Sequence, residues 1–135
     1  MRYILGIDQS TQGTKAILAD EEGKIIGRSD KSHRQLVNEY GWVSHDLEEI
    51  YRNVLLAVEE VVEKTVIEKS QIRAIGISNQ RETTAVWDKE GKPLADAIVW
   101  QCARAKEIAK EIQEKEGEMV KERTGLAPSP YFPAA

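Results

Sequence analysis

Cysteine is nearly absent from this chain, which has a single such residue, Cys102, among its 135 amino acids. One thiol cannot form an internal disulfide framework, and its presence is compatible with a reducing compartment. Long hydrophobic runs are missing as well, since no apolar stretch reaches the roughly 18–20 residues of a membrane-spanning helix. The N-terminus resembles a strand rather than a signal peptide with a basic and then an apolar part. These absences predict a cytoplasmic protein without a membrane span.

An excess of positive charge is also missing. The chain has 19 lysines and arginines against 23 acidic residues, a net charge of -4 and a pI near 5.3. Binding to a phosphate backbone usually requires a basic face, so the composition argues against a nucleic-acid partner. An apolar content of 41% and a charged content of 31% are those of a soluble globular domain. The length allows one domain with a real core and is too short for two of ordinary size.

The first 35 residues predict three strands joined by tight turns. Residues 3–8 are apolar and end at Asp8. Residues 15–19 follow a turn in which Gly13 supplies backbone freedom, and residues 24–35 form a longer, polar strand typical of a sheet edge. Sequential strands with short connections predict an antiparallel meander.

An amphipathic helix follows this meander. Asp46 and Glu49 have the spacing of a capping box, and apolar residues then recur every three or four positions to about Thr65. Residues 72–77 predict a central strand, and the helix before it favours a crossover that places this strand parallel to the first. This order of elements predicts an α/β fold with the mixed sheet of RNase H-like (actin/hexokinase-type ATPase) domains, incomplete in this chain.

The second half of the chain has weaker patterns. Residues 83–87 predict another strand, residues 103–115 a helix that stops near Gly117, and residues 118–123 a short third helix. Residues 124–135 are rich in proline and follow neither a helix nor a strand pattern. This end indicates either a frayed terminus or a cut through a longer protein.

Two polar stretches follow predicted strands and are candidates for chemistry. The hairpin after Asp8 offers hydroxyls, backbone N–H groups and Lys15, which could bind a phosphate, while Asp8 could hold Mg²⁺ through water. Arg81 and Glu82 offer fixed donors beside fixed acceptors, a combination that suits the hydroxyls of a polyol. An ordinary polar turn and an exposed ion pair are the alternatives that these residues leave open.

Several segments, in order and at matching spacing, resemble the N-terminal part of glycerol kinases, which belong to the FGGY family of carbohydrate kinases. The segments are residues 8–15, 41–46, 76–84 (with Asn-Gln-Arg-Glu-Thr-Thr), 86–88, 97–102 (with Ile-Val-Trp-Gln-Cys), 124–125 and 130–132. The resemblance covers essentially the whole chain. It implies that residues 1–135 are the N-terminal part of the first of two RNase H-like domains, with the second domain absent.

The resemblance also implies a role for individual residues. Arg81 and Glu82 would bind substrate hydroxyls, Trp100 would cover the apolar carbon face, and Tyr131 would add a hydroxyl contact. Asp8 would bind Mg²⁺. The ATP phosphates would be bound by Thr11, Gln12, Gly13 and Lys15. No catalytic residue lies in this stretch, because the family's general base is an aspartate further downstream and its adenine pocket lies in the second domain. The expected partners are a small polyol or sugar, the C-terminal domain of the same enzyme and a second copy of the chain. The isolated chain is expected to be inactive.

Other readings remain open. The parent could be a pentulose kinase acting on xylulose or ribulose, although such enzymes usually have Met-His-Gly where this chain has Arg81-Glu82-Thr83. The chain could also be a non-catalytic interaction domain. Cys102 is interpreted as a buried apolar side chain, His33 as part of an exposed strand, and His45 as part of the helix entry.

Overall fold

The computed structural model describes residues 1–133, which fall into two compact units. The first unit comprises Met1–Arg34 and Asp46–Gln80, and the second comprises Gln35–His45 and the residues from Arg81 onward. In chain order the elements are β1 (Tyr3–Ser10), β2 (Gly13–Ala19), β3 (Ile25–Ser32), β4 (Leu36–Val37), β5 (Val43–His45), α1 (Leu47–Thr65), a 3₁₀ turn (Lys69–Gln71), β6 (Ile72–Asn79), β7 (Ala97–Ile98) and α2 (Lys106–Thr124).

The sheet of the first unit has the strand order β3-β2-β1-β6. β1, β2 and β3 are antiparallel neighbours, and β6 pairs with β1 in parallel. This confirms the predicted meander, the crossover through α1 and the α/β class. The register places Asp8 opposite Lys15 on one side and opposite Ser78 on the other, so the polar end of β1 lies between two polar neighbours.

The core of this unit lies between α1 and one face of the sheet. Period-two alternation places Leu5 and Ile7 of β1, with Ala16 and Leu18 of β2, on the buried face. They pack with Ala57, Val61 and Val62 of α1. The helix begins at the predicted cap, where the Asp46 carboxylate accepts hydrogen bonds from the backbone N–H groups of Glu48 and Glu49.

Residues 72–77 were predicted as a central strand, but within residues 1–133 β6 has an edge position. It lies at the end of the described four-stranded sheet, and the side chains of Ile75 and Ile77 are 62% and 71% exposed. α1 packs mainly over β2 and β3, so its apolar stripe does not reach the face of β6. The alternation of β6 therefore indicates an apolar face that residues 1–133 leave open.

The end of α1 contains a strained residue. Val66 follows the helix with φ 53° and ψ 33°, its N–H donates to the carbonyl of Glu63, and its side chain is 90% exposed. A β-branched residue in the left-handed region costs about 1–2 kcal/mol. We expect Val66→Gly to raise the free energy of unfolding by about 1 kcal/mol, because glycine adopts this conformation freely.

Thermal and urea unfolding of the 135-residue chain would measure this gain. Val66→Ala is the matched control, since it removes the β-branch but keeps Cβ, and it should recover only part of the effect. A Val66→Gly chain no more stable than Val66→Ala would show that the left-handed cap is not strained.

An ion-pair network connects β3 to α1. The Lys31 and Lys64 ammonium groups both contact the Glu60 carboxylate. Hydrogen bonds from these two lysines hold the pKa of Glu60 at about 2, below its ordinary value of 4.5. Because the folded-state pKa is depressed, the stabilisation is present above pH 4.5 and is lost as the pH falls towards 2.

Unfolding measured from pH 6 to pH 2 should therefore separate the wild-type chain from Glu60→Gln. The stability advantage of the wild type should be constant above pH 5 and should shrink below pH 4.5. An unchanged difference down to pH 2 would mean that the two lysines do not favour the charged carboxylate.

The second unit contains a small antiparallel sheet of order β4-β5-β7 and the helix α2. Residues 83–87, predicted as a strand, form only two isolated bridges, Thr84 with Ile98 and Trp87 with Pro93. The predicted break at Gly117 is also wrong, because one helix continues to Thr124 with Gly117 buried within it. A glycine inside a helix costs only about 1 kcal/mol. The actual stop is Gly125, which has φ 77°.

Within residues 1–133, no helix combines the length and the apolarity that crossing a membrane requires.

Candidate functional site

The first candidate site is the hairpin between β1 and β2 in the first unit. Thr11 and Gln12 form its turn, between the paired Ser10 and Gly13. The Ser10 hydroxyl donates to the Gly13 carbonyl at 3.0 Å. A shallow cavity of about 170 Å³ adjoins the turn, and its walls include Gln12, Gly13 and Lys15. The hairpin thus places a hydroxyl, amides and an ammonium group around one small concave surface.

Gly13 is required for a different reason from the predicted one. It is not among the glycines with positive φ, so backbone freedom is not what this position needs. A Cβ atom built on Gly13 would lie 2.5 Å from the Lys31 carbonyl oxygen and 3.1 Å from Cα of Ser32. Only glycine lets β3 approach the hairpin this closely.

Asp8 and Lys15 form a cross-strand ion pair on the sheet face opposite α1. Their carboxylate and ammonium groups are 3.2 Å apart, with both side chains partly exposed. Asp30 faces Lys15 from β3, and hydrogen bonds from Arg28 lower the pKa of this carboxyl below its usual value. Lys15 therefore lies between two carboxylates. Asp30 was not recognised from the sequence, because cross-strand neighbours become evident only once the register is known.

The residues of this hairpin offer few ligands for a metal ion. Among residues 1–133 there is no group of three or more His, Cys, Asp or Glu side chains that could hold an ion. Mg²⁺ needs fewer protein ligands, because it keeps several waters and commonly uses one or two carboxylates with substrate phosphates. Asp8 alone fits that requirement once the Lys15 ammonium group no longer contacts its carboxylate.

The amide side chains at the ends of β1 and β6 are paired. The Gln80 N–H donates to the Gln9 carbonyl at 2.7 Å, and the Gln80 side-chain amide donates to the Gln9 side-chain oxygen at 3.2 Å. These bonds continue the parallel pairing of the two strands by one residue. Arg81 follows Gln80 directly, so the pairing fixes the backbone just before the predicted substrate-binding residues.

The second candidate site is a cavity of about 340 Å³ in the second unit. Glu82, Trp100 and Tyr131, three of the four predicted substrate-binding residues, line it together. The rings of Trp100 and Tyr131 meet edge to face with centroids 5.4 Å apart. Arg81, the fourth, is exposed and is not among the lining residues. An acidic residue and aromatic residues in one cavity suit a small molecule with both hydroxyl and C–H groups.

Hydrogen bonds connect the backbone segments that surround this cavity. Thr84 and Ile98 exchange both backbone hydrogen bonds at 2.9 Å, and the Trp100 N–H donates to the Thr83 hydroxyl at 3.4 Å. Glu82, which directly precedes Thr83, adopts φ 63°, a backbone conformation that a residue with a side chain rarely occupies. Such strain costs about 1–3 kcal/mol and is concentrated at functional sites.

Cys102 lies in the wall of this cavity and is 3% exposed, as predicted for a small buried side chain. Burial opposes ionisation of its thiol, but hydrogen bonds from Arg104 and from the Val43 N–H outweigh that effect, and the pKa of Cys102 falls below its usual value. The importance of Arg104 was not recognised from the sequence, since its other partners, Val43 and Ser44, lie 61 and 60 positions away.

The two histidines are both buried. His33, predicted on an exposed strand, follows the end of β3 and is only 9% exposed, and its N–H donates to the Gln12 carbonyl. Burial lowers its pKa. His45 ends β5 and directly precedes the cap of α1, which agrees with its predicted place at the helix entry.

Comparison with known proteins adds to this geometry. Residues 3–135 match the FGGY family of carbohydrate kinases, N-terminal domain. The chain is 49% identical over 136 residues to Glycerol kinase 1 of Thermotoga maritima and 46% identical over 134 residues to Glycerol kinase of Thermococcus onnurineus. These alignments cover 98% and 99% of this chain but only 27% of each relative. The chain therefore spans about a quarter of the length of these relatives.

Solved structures agree with the sequence relatives. A glycerol kinase of Plasmodium falciparum, crystallised with ADP, superposes with a TM-score of 0.88 at 37% identity, over 98% of this chain and 27% of that one. A xyloylose kinase from Brucella ovis superposes with a TM-score of 0.89 at 27% identity, over 97% of this chain and 27% of that one. Both likenesses confirm the predicted fold class.

Proposed function

Because the chain belongs to the FGGY family of carbohydrate kinases, we propose that residues 1–135 are the N-terminal part of the first domain of an ATP-dependent kinase that converts glycerol to glycerol 3-phosphate. The observation that carries this proposal is the single cavity lined by Glu82, Trp100 and Tyr131. Identity of 45–49% to several glycerol kinases supports glycerol as the substrate. We also propose a cytoplasmic location, which the single unpaired cysteine supports.

The substrate residues have complementary chemistry. Glu82 would accept hydrogen bonds from two neighbouring hydroxyls, and Arg81 would donate to their oxygens. Trp100 and Tyr131 would cover the C–H face of the carbon chain and exclude water from it. These contacts orient the attacking hydroxyl, and positioning supplies much of the rate in phosphoryl transfer.

The hairpin residues would bind the nucleotide. Thr11, Gln12, Gly13 and Lys15 offer a hydroxyl, amides and an ammonium group for ATP phosphates. Asp8 would hold Mg²⁺ through water, and the bound ion would offset negative charge on the phosphates. Lys15 would then exchange its ion pair with Asp8 for a phosphate oxygen, which keeps every charged group paired.

The general base is the part that we place outside residues 1–135, in an aspartate further along the parent chain. Half of a kinase site supplies little rate, because phosphoryl transfer depends on positioning and charge stabilisation from both sides. We therefore expect no ATP- and glycerol-dependent ADP release from the isolated chain above that of a boiled control. Release clearly above the control would contradict this division of the site.

A chimera tests the proposed substrate. Residues 1–135 would replace the matching stretch of the Thermotoga maritima enzyme, and ADP release would be measured with glycerol, xylulose and ribulose. The likeness to a xyloylose kinase makes a ketose the second candidate. A clear preference for glycerol supports the proposal, a preference for a ketose overturns it, and the unmodified enzyme shows that the assay works.

The proposed partners are the C-terminal domain of the same enzyme and a second copy of this chain. The open apolar face of β6, with Ile75 and Ile77 exposed, favours self-association of the isolated chain. Sedimentation should show dimers or larger species at high concentration, reduced by Ile77→Lys. Ile25→Lys, at an exposed position on β3, is the matched control. A wild-type chain that stays monomeric would count against this partner.

A further inference from the structure

We propose that Arg104 is a positioning residue for the second cavity: its guanidinium bridges β5 to the turn of Cys102 and so holds the Trp100 wall in place. The inference rests on the proposed function only in taking Trp100 as a substrate contact. Arg104 also lines this cavity, but hydrogen bonds from its Nε and from one terminal nitrogen go to protein atoms, and we infer that it acts through those atoms.

The bridge consists of three hydrogen bonds that leave one guanidinium in two directions. The Arg104 Nε donates to the Cys102 sulfur at 3.0 Å. A terminal nitrogen donates to the Val43 carbonyl at 3.1 Å and to the Ser44 hydroxyl at 2.7 Å. Only a planar fork of donors can meet these acceptors at once, which a lysine ammonium cannot reproduce.

The guanidinium is also held from one side. Its central carbon lies 5.1 Å from the centroid of the Trp42 ring, within the range of a cation–π contact. The donors and the ring together restrict the side chain in position and in orientation. Because the Arg104 side chain is restricted in this way, its hydrogen bonds also restrict the positions of the groups that accept them.

Of the groups that Arg104 binds, Cys102 lines the cavity, together with Val99 and Trp100. The Cys102 N–H donates to the Val99 carbonyl at 2.8 Å and so closes the turn that contains Trp100. On the other side, the Val43 N–H donates to the Cys102 sulfur at 3.4 Å, and the Val99 N–H donates to the Val43 carbonyl at 3.3 Å. The Trp100 turn is thus connected to β5 directly and through Arg104. Without the guanidinium, only the weaker direct contacts would remain.

The sulfur supplies a built-in reporter. Cys102 is the single cysteine of the sequence, so its ionisation can be followed without interference from another thiol. The lowered pKa of this thiol is what a guanidinium close to the sulfur would produce despite burial. Without the contact between Arg104 and the sulfur, burial becomes the dominant influence on the thiol. The pKa of Cys102 should then rise.

The experiment compares Arg104→Met and Arg104→Lys with the wild-type chain, and Arg123→Met, in the last turn of α2, is the control. Thiolate absorbance against pH should show a raised Cys102 pKa in Arg104→Met and no change in the control. The indole NMR signal of Trp100, assigned with Trp100→Phe, should shift in both Arg104 variants. Because lysine lacks the fork, it should not rescue this signal. If Arg104→Met does not fold, Ser44→Ala removes one acceptor and should shift the signal in the same direction by less.

A second arm uses the chimera. Arg104→Met should raise the KM for glycerol about tenfold or more while kcat changes less, because the wall is displaced but no reacting group is lost. An unshifted Trp100 signal, or complete rescue by lysine, would overturn the proposal. A KM unchanged in a folded, active variant would overturn it as well. If the unsubstituted chimera shows no glycerol-dependent ADP release, the proposed function fails. The thiol and indole measurements still decide the role of Arg104.

Discussion

Glu82→Gln should lower kcat/KM for glycerol by at least about 10²-fold in the chimera, since hydrogen bonds to a charged group contribute about 1.5–3 kcal/mol each. Glu82 lines the cavity together with Trp100 and Tyr131. A glutamine keeps the shape of the side chain while losing one acceptor site and the charge. Arg81→Ala should have an effect of similar size if the arginine turns towards the bound substrate. Initial rates over a range of glycerol concentrations would measure both.

The control for this experiment is Glu90→Gln, an equivalent change at an exposed turn of the same unit. Its kinetics should match those of the parent. If neither Glu82→Gln nor Arg81→Ala alters kcat/KM in a folded chimera, these residues do not bind substrate. The non-catalytic interaction domain would then become the better reading of this part of the chain.

Glu82→Gly separates the function of this residue from its backbone strain. Glycine accepts φ 63° without cost, so the variant should unfold at a slightly higher temperature while losing activity. A variant that loses both activity and stability would show that the side chain supports the fold rather than a ligand.

Gly13→Ala is the second change for which we expect a large effect. The added Cβ would lie 2.5 Å from the Lys31 carbonyl oxygen, and both groups belong to the backbone of paired strands. Neither can move without disturbing the hairpin, so the free energy of unfolding should fall by about 2 kcal/mol. Nucleotide binding by the chimera should weaken in parallel, because the displaced hairpin contains the proposed phosphate-binding residues.

Gly76→Ala is the matched control for this prediction. Gly76 lies in β6 of the same sheet, and a Cβ atom there would meet nothing within 4 Å. Alanine should be neutral or slightly stabilising at this position, because it lowers the entropy of the unfolded chain. Equal losses in both variants, by urea unfolding, would show that the close approach of β3 does not constrain Gly13.

The parts of the fold that could be predicted depend on local patterns. The strands around Asp8, the cap at Asp46 and the crossover to residues 72–77 follow from alternation, helical periodicity and connection rules. The helix break at Gly117 was wrong because a local breaker signal competes with the hydrogen bonds of a long helix. The burial of His33 was missed because the hydrogen bond from its N–H to the Gln12 carbonyl joins residues far apart in the chain, which local patterns do not reveal.

The candidate site divides in the same way. Asp8, Glu82, Trp100 and Tyr131 were predicted because their residue types stand in recognisable order along the chain, and their binding roles stay predictions. Asp30 and Arg104 were not, because each acts through partners that register or packing brings close. The sequence by itself determined the family, the order of the strands and the helix of the first unit, and the chemistry available to a ligand. Only the tertiary structure decided that Gly13 is needed for close strand approach and that Arg104 bridges two distant segments, since contacts between residues far apart in the chain depend on packing rather than on local preference.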